Sequence, residues 1–204
     1  MIKLFNIALA LHLFVFFQCP AQERKLEIST KASFIGTLAG DDGTLKDKQT
    51  YAIGFGLESV YFVTPAIGVG AFFYEYSGNG ETTGYYQGSP NNSDVTFNTT
   101  GRSFGLSLQA TTNKNRKFRI YFSGKFTALQ LRDESESGGF SIYNDGYVIS
   151  GGLGIMLKIT RFLNFNLFEA SYMIPSKKLS YSDEASTSGV MVSSGLTFKF
   201  IKAK

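Results

Sequence analysis

The chain has 204 residues, with 20 Phe, 11 Tyr, 22 Gly and only 4 Pro, and its 20 basic and 16 acidic side chains leave a formal charge of +4. That length suits one domain. The aromatic content excludes a disordered chain, and no basic block stands out that would hold a nucleic acid.

The first residues read as an export signal. Lys3 precedes an apolar run from Leu4 to Phe17, broken only by Asn6 and His12, and Cys19-Pro20-Ala21 puts small residues at −3 and −1 before Gln22. The run is shorter than the ~20 apolar residues of a spanning helix, so residues 1–21 are expected to be a cleaved signal peptide and 22–204 the mature domain. Cys19 opens a lipoprotein reading, which Gln18 opposes because those signals carry a small residue before the cysteine. Cleavage after Ala21 removes the only His and the only Cys together with Lys3, leaving a charge of +3. Disulfide, thiol and imidazole chemistry would then be unavailable to the mature chain.

Beyond Gln22 a period of two dominates, the signature of strands. Leu26, Ile28, Thr30, Ala32 and Phe34 alternate with Lys25, Glu27, Ser29, Lys31 and Ser33. Tyr51, Ile53, Phe55 and Leu57 alternate with Ala52, Gly54, Gly56 and Glu58. Ala66 to Tyr76 is apolar on both faces, with Glu75 its only charge. Phe104, Leu106, Leu108 and Ala110 stand against Ser103, Gly105, Ser107 and Gln109, and Phe118, Ile120, Phe122 and Phe126 against Arg119, Ser123 and Lys125. Tyr147 to Leu157 repeats the rhythm against Val148 to Lys158, and Val190 to Phe200 closes the series against Met191 to Lys199. Leu163, Phe165 and Leu167 face away from Asn164 and Asn166, yet Glu169 then falls on the apolar side. A bulge or a position near the rim would account for it.

The connections carry the topology. Long segments (Ala39–Gln49, Ser77–Asp94, Arg132–Asp145, Pro175–Thr187) alternate with short ones (Thr64-Pro65, Asn113–Arg116, Thr160-Arg161) without exception. Transmembrane barrels show this asymmetry, with short periplasmic turns and longer outer loops. The expected fold is therefore all-β: an eight-stranded antiparallel up-and-down transmembrane barrel with both termini on the short-turn side.

On that reading Glu27, Lys31, Glu58, Glu75, Arg119, Lys125, Lys158 and Lys199 form a charge network inside the barrel. An eight-stranded barrel is narrow enough for such charges to pair across it. Tyr51, Tyr61, Tyr76, Tyr121, Tyr147, Tyr172 and Phe200 would make aromatic girdles on the lipid face. Patterning alone does not fix which face points inward. A soluble lipocalin-like barrel, apolar inside and binding a small apolar ligand, stays open.

At this point the chain resembles the small OmpA/OmpX-like outer-membrane barrels, in the form common in Bacteroidetes. The resemblance covers Lys25 to Ile201 and rests on the Ala21-Gln22 cleavage context, the hairpin asymmetry and the closing strand Gly195-Leu196-Thr197-Phe198-Lys199-Phe200. It implies outer-membrane lipid as surroundings and an alternating aromatic last strand read by the outer-membrane insertion machinery, here through Phe198 and Phe200. The tail Ile201-Lys202-Ala203-Lys204 departs from the family habit of ending on the aromatic.

No catalytic, cofactor or metal site is expected. Small outer-membrane barrels that are enzymes depend as families on a histidine, and the mature chain would have none. Asp133-Glu134-Ser135-Glu136 and Asp183-Glu184 lack EF-hand spacing. Gly54-Phe55-Gly56 and Gly152-Leu153-Gly154 lack the strand–turn–helix setting of a dinucleotide site and read as space in a narrow barrel. Tyr85 and Tyr86, set among Gly, Ser, Thr and Asn, form the best candidate contact in the loops. The functional expectation is a non-enzymatic structural or surface-interaction protein contacting an extracellular or complex partner through four outer loops. The alternative is a narrow channel or a component of a transport or secretion complex.

Overall fold

The computed structural model describes residues 25–39, 45–84, 93–112, 117–135, 141–175 and 187–201. The signal segment 1–21 and the Tyr85-Tyr86 contact lie outside them. Eight strands follow in order: β1 (Lys25–Ala39), β2 (Leu45–Phe62), β3 (Ile67–Gly84), β4 (Ser93–Thr111), β5 (Phe118–Ser135), β6 (Ser141–Lys158), β7 (Leu163–Pro175) and β8 (Thr187–Ile201). Each pairs antiparallel with its sequence neighbours, and β1 pairs with β8 to close the barrel. Closure gives every strand a hydrogen-bonded neighbour on both sides.

The stagger of the closed sheet can be read from its register. Starting at Arg119 on β5, successive partners are Met156, Asn166, Gly195, Lys31, Gly56, Tyr74 and Ser103, and the path returns to β5 at Leu129, ten residues further along. That offset tilts the strands and sets how wide the interior is.

The direction of the pleat decides between the two arrangements left open by the pattern. Phe55, Leu57, Leu106, Phe122 and Ile149 are all more than half exposed on the outer wall, at 70, 56, 66, 59 and 53%. Glu27, Lys31, Glu58, Arg119 and Lys125 are buried within the barrel. Water solvates such an outer surface poorly and hydrocarbon solvates it well, so the lipocalin-like arrangement does not apply.

Pairing reaches well into segments expected as loops. β2 begins at Leu45 and not Tyr51, β3 continues to Gly84, β4 starts at Ser93, and β5 and β6 pair out to Ser135 and Ser141. The strands run to 18 and 19 residues there, against the ~9–11 that cross a bilayer. The backbone ladder thus continues past the stretches where apolar alternation marks a strand in the sequence. Turn-like composition misleads here too. A Cβ on Gly78 would lie 2.0 Å from the Tyr51 carbonyl oxygen, so this glycine answers to a close strand contact and not to a turn.

Two tyrosines expected on the lipid face point the other way. Tyr76 and Tyr121 are buried inside, whereas Tyr51, Tyr147, Tyr172 and Phe200 are exposed and Tyr61 half-buried on the outer wall. The interior rings lie over inward-facing glycines: a Cβ on Gly54 would meet Tyr76, one on Gly56 Tyr74, and one on Gly154 Tyr121. Aromatic cover of strand glycines fills the space their missing side chains leave. At the loop end the inward residues turn apolar, and Ile35, Tyr76, Leu129, Leu131, Val148, Met173 and Met191 join in one cluster. It closes the interior below the loops.

A paired substitution tests this packing. At Gly154 a Cβ would stand 2.2 Å from Tyr121 Cζ, while one at the lipid-facing Gly124 meets nothing within 4 Å. Gly154→Ala is expected to destabilise by about 1–3 kcal/mol, the usual cost of overpacking, and Gly124→Ala to be near neutral. Urea unfolding in detergent micelles, followed by tyrosine fluorescence, checks the contrast.

Candidate functional site: the charged interior

The interior charges separate into two groups. The larger is centred on Glu169. Lys31 Nζ stands 2.6 Å from Glu169 Oε2 and 2.5 Å from Glu58 Oε2. Lys125 Nζ stands 2.8 Å from Glu169 Oε1 and 3.9 Å from Glu58 Oε2. Two ammonium groups and two carboxylates thus make a neutral quartet, fully enclosed at 1–3% exposure. Ser123 donates to Glu169 Oε1 at 2.7 Å, and the Tyr121 hydroxyl lies 3.1 Å from Oε2. Aromatic faces complete the shell: Lys31 is 5.9 Å from the Tyr121 ring centre and Lys125 5.7 Å from that of Phe72.

The second group lies towards the turns. Arg119 grips Glu27 with both terminal nitrogens, at 2.8 and 2.6 Å, and its guanidinium lies 5.8 Å from the Phe62 ring centre. The fork matches the carboxylate geometry, which fixes orientation as well as charge. Ser29 and Thr197 share a hydrogen bond of 2.9 Å.

Sequence alternation placed Glu169 on the wrong face, and a bulge in β7 explains why. Met156 pairs with Asn166 and Ile155 with Phe168, so Leu167 is an extra residue opposite β6. The β8 register shifts over the same stretch, between Asn166 and Glu169. Leu167 and Phe168 consequently both face outward, 38 and 40% exposed, and Glu169 turns inward with 1% exposure. The Asn166 side chain ties the bulge. Oriented with its nitrogen towards the main chain, it donates to the Phe168 and Ile155 carbonyls at 3.1 and 3.2 Å, and its oxygen lies 2.7 Å from the Tyr121 hydroxyl.

Not every residue assigned to the network belongs to it. Glu75 is outside the barrel, because it shares the outward face of β3 with Ile67, Val69 and Phe73, and it meets Arg102 there at 3.1 Å with both side chains about half exposed. Lys158 and Lys199 face inward at the turn end, only half-buried and apart from the quartet. Phe198 and Phe200 point outward, 44 and 53% exposed. Among the described residues no group of three or more metal-ligating side chains converges.

No protein family's sequence profile matches the chain, and no curated protein matches it. Solved structures do. Neisserial surface protein A superposes with a TM-score of 0.62 at 11% identity, over 86% of this chain and 97% of that one. A major outer membrane protein from Thermus thermophilus gives 0.62 at 10%, over 88 and 100%. The outer membrane protein OprG from Pseudomonas aeruginosa gives 0.58 at 13%, over 87 and 96%. The chain has the small outer-membrane β-barrel fold. This likeness concerns the fold, since identities so low say nothing of shared ligands or activities.

In such a barrel the quartet is a structural centre first. Glu169→Gln leaves Lys31 and Lys125 with one carboxylate between them and is expected to cost about 3–5 kcal/mol, the penalty for an uncompensated buried charge. Glu75→Gln breaks only the exposed pair and is expected to cost about 0–1 kcal/mol. Deleting Leu167 removes the bulge, keeps Glu169 inward and is expected to leave the protein folded. Thermal unfolding in detergent, read by circular dichroism, compares all three.

Proposed function

We propose that this protein resides in the outer membrane as a non-enzymatic barrel, with a structural or surface-interaction role exercised through the loops at the end opposite its termini. The observation that carries the reading is the inverted distribution of polarity: an apolar outer wall around a charged, balanced and filled interior. Such a wall is matched by hydrocarbon, and the loops and the turns are then the parts that reach water. On this reading residues 1–21 are the export signal, 22–204 the mature domain, and outer-membrane lipid its surroundings. Phe198 and Phe200 on the closing strand serve recognition by the insertion machinery, and the relationship is to the OmpA/OmpX-like barrels in their Bacteroidetes form. Tyr85 and Tyr86 supply contact to a partner outside the cell.

The interior argues against a conducting channel. The ion-paired quartet is enclosed, and the apolar cluster of Ile35, Leu129, Leu131 and Val148 stands between it and the loops. An ion would have to pass this packed, mostly apolar layer and lose most of its hydration there.

Fractionation tests the location and bilayer recording the job. The protein is expected in the outer-membrane fraction, migrating faster unboiled than boiled because the closed barrel resists detergent. Planar bilayers containing it are expected to show no stable unitary currents. Recovery from the soluble periplasm with no mobility difference overturns the membrane assignment, whereas steady unitary currents overturn the closed interior. Trypsin added to intact cells is expected to cut after Lys177 or Lys178, in the connection between β7 and β8; full protection of that segment would remove the loops from the cell surface.

A further inference from the structure

The two ends of the barrel handle charge differently. At the loop end the outward arginines have carboxylates of their own: Arg102 meets Glu75 at 3.1 Å, and Arg132 meets Glu134 at 2.5 Å. At the turn end Lys117 and Arg161 are exposed and Lys158 half-buried, and among the described residues no carboxylate stands within ion-pair distance of them. The one carboxylate described there, Glu27, is buried inside and held by Arg119.

These cations are built into an interfacial arrangement. Lys117 immediately precedes Phe118, 55% exposed, and Arg161 precedes Phe162, 48% exposed. The Arg161 guanidinium lies over the Phe162 ring, 4.3 Å from its centre, so the charge and the apolar face are held together. The Lys158 amide donates to the Lys117 carbonyl at 2.8 Å, which joins the β4–β5 turn to the end of β6. Exposed aromatic rings at the edge of an apolar wall, each followed outward by a cation, match the boundary between acyl chains and phosphates.

We propose that the turn end of the barrel, through Lys117 and Arg161, docks anionic phospholipid headgroups of the periplasmic leaflet. The proposal rests on the membrane assignment above and adds a headgroup preference to it. Charge complementarity favours a phosphodiester lipid with net negative charge over a zwitterionic one, because the described surface there has cations and no carboxylates to meet an ammonium group. Attraction of this kind weakens with salt when the charges are exposed.

The test uses the full-length protein, extracted in detergent and reconstituted into phosphatidylcholine vesicles. Each preparation contains a trace of spin-labelled phosphatidylglycerol or spin-labelled phosphatidylcholine, and electron spin resonance reads the fraction of label held at the protein surface. Wild type is expected to prefer phosphatidylglycerol roughly fivefold for each cation that reaches the headgroups at low salt. The preference should fall towards parity in about 1 M salt, where screening acts over ~3 Å. Lys117→Gln with Arg161→Gln is expected to abolish most of it while leaving the unboiled mobility unchanged. Parity in wild type, with the protein inserted, overturns the headgroup docking alone. So does a preference that survives those substitutions and disappears with Arg102→Gln and Arg132→Gln, which would place the contact at the loop end. Failure to insert into any vesicle overturns the membrane assignment, and the docking with it.

Discussion

Four charges enclosed in a narrow barrel impose the constraint on which the rest of the architecture depends. Lys31, Lys125, Glu58 and Glu169 are removed from water, and each is tolerable only because the others are present. Neutrality of the quartet is therefore as much a requirement as its geometry. Glu169 is held by two ammonium groups and by Ser123, with the Tyr121 hydroxyl beside it, so a change at any of these would be felt at the centre. Buried networks of this kind are costly when half satisfied and specifying when complete. This one also ties the paired strands β1 and β2 to β5 and β7 across the lumen, contacts that no backbone ladder supplies.

The bulge at Leu167-Phe168 is the device that makes the quartet possible. Strict alternation would turn Glu169 to the lipid and Phe168 to the interior, reversing both their environments. One extra residue corrects the phase of the rest of β7, and Asn166 supports the interrupted ladder from within. The bulge leaves two apolar residues side by side on the outer wall, which hydrocarbon accepts without penalty.

The interior has a direction. From the turn end it presents the Arg119–Glu27 pair, then the quartet with its hydroxyls and tyrosines, then the apolar cluster beneath the loops. Small inward residues make room for this sequence of layers, with Gly54, Gly56 and Gly154 beneath the rings of Tyr76, Tyr74 and Tyr121. A lumen so filled gives the strands a core of their own.

Much of this was legible in the chain itself. Alternation between Lys25 and Ile201, with its alternating short and long connections, determined eight strands, an up-and-down order and, outside the β7 bulge, which residues share a face, because the pleat repeats every two residues. It also marked Glu169 as an anomaly. Tertiary structure alone decided which face turns inward, since a closed sheet can curl either way over the same pattern. It put Glu75 outside with Arg102 and Tyr76 and Tyr121 inside, because β3 is apolar on both faces and a tyrosine suits either a girdle or a lumen. It also brought Glu169 to Lys31 and Lys125. Those residues are 138 and 44 positions away in the chain, and only barrel closure, with a bulge that absorbs the extra residue in β7, makes them neighbours.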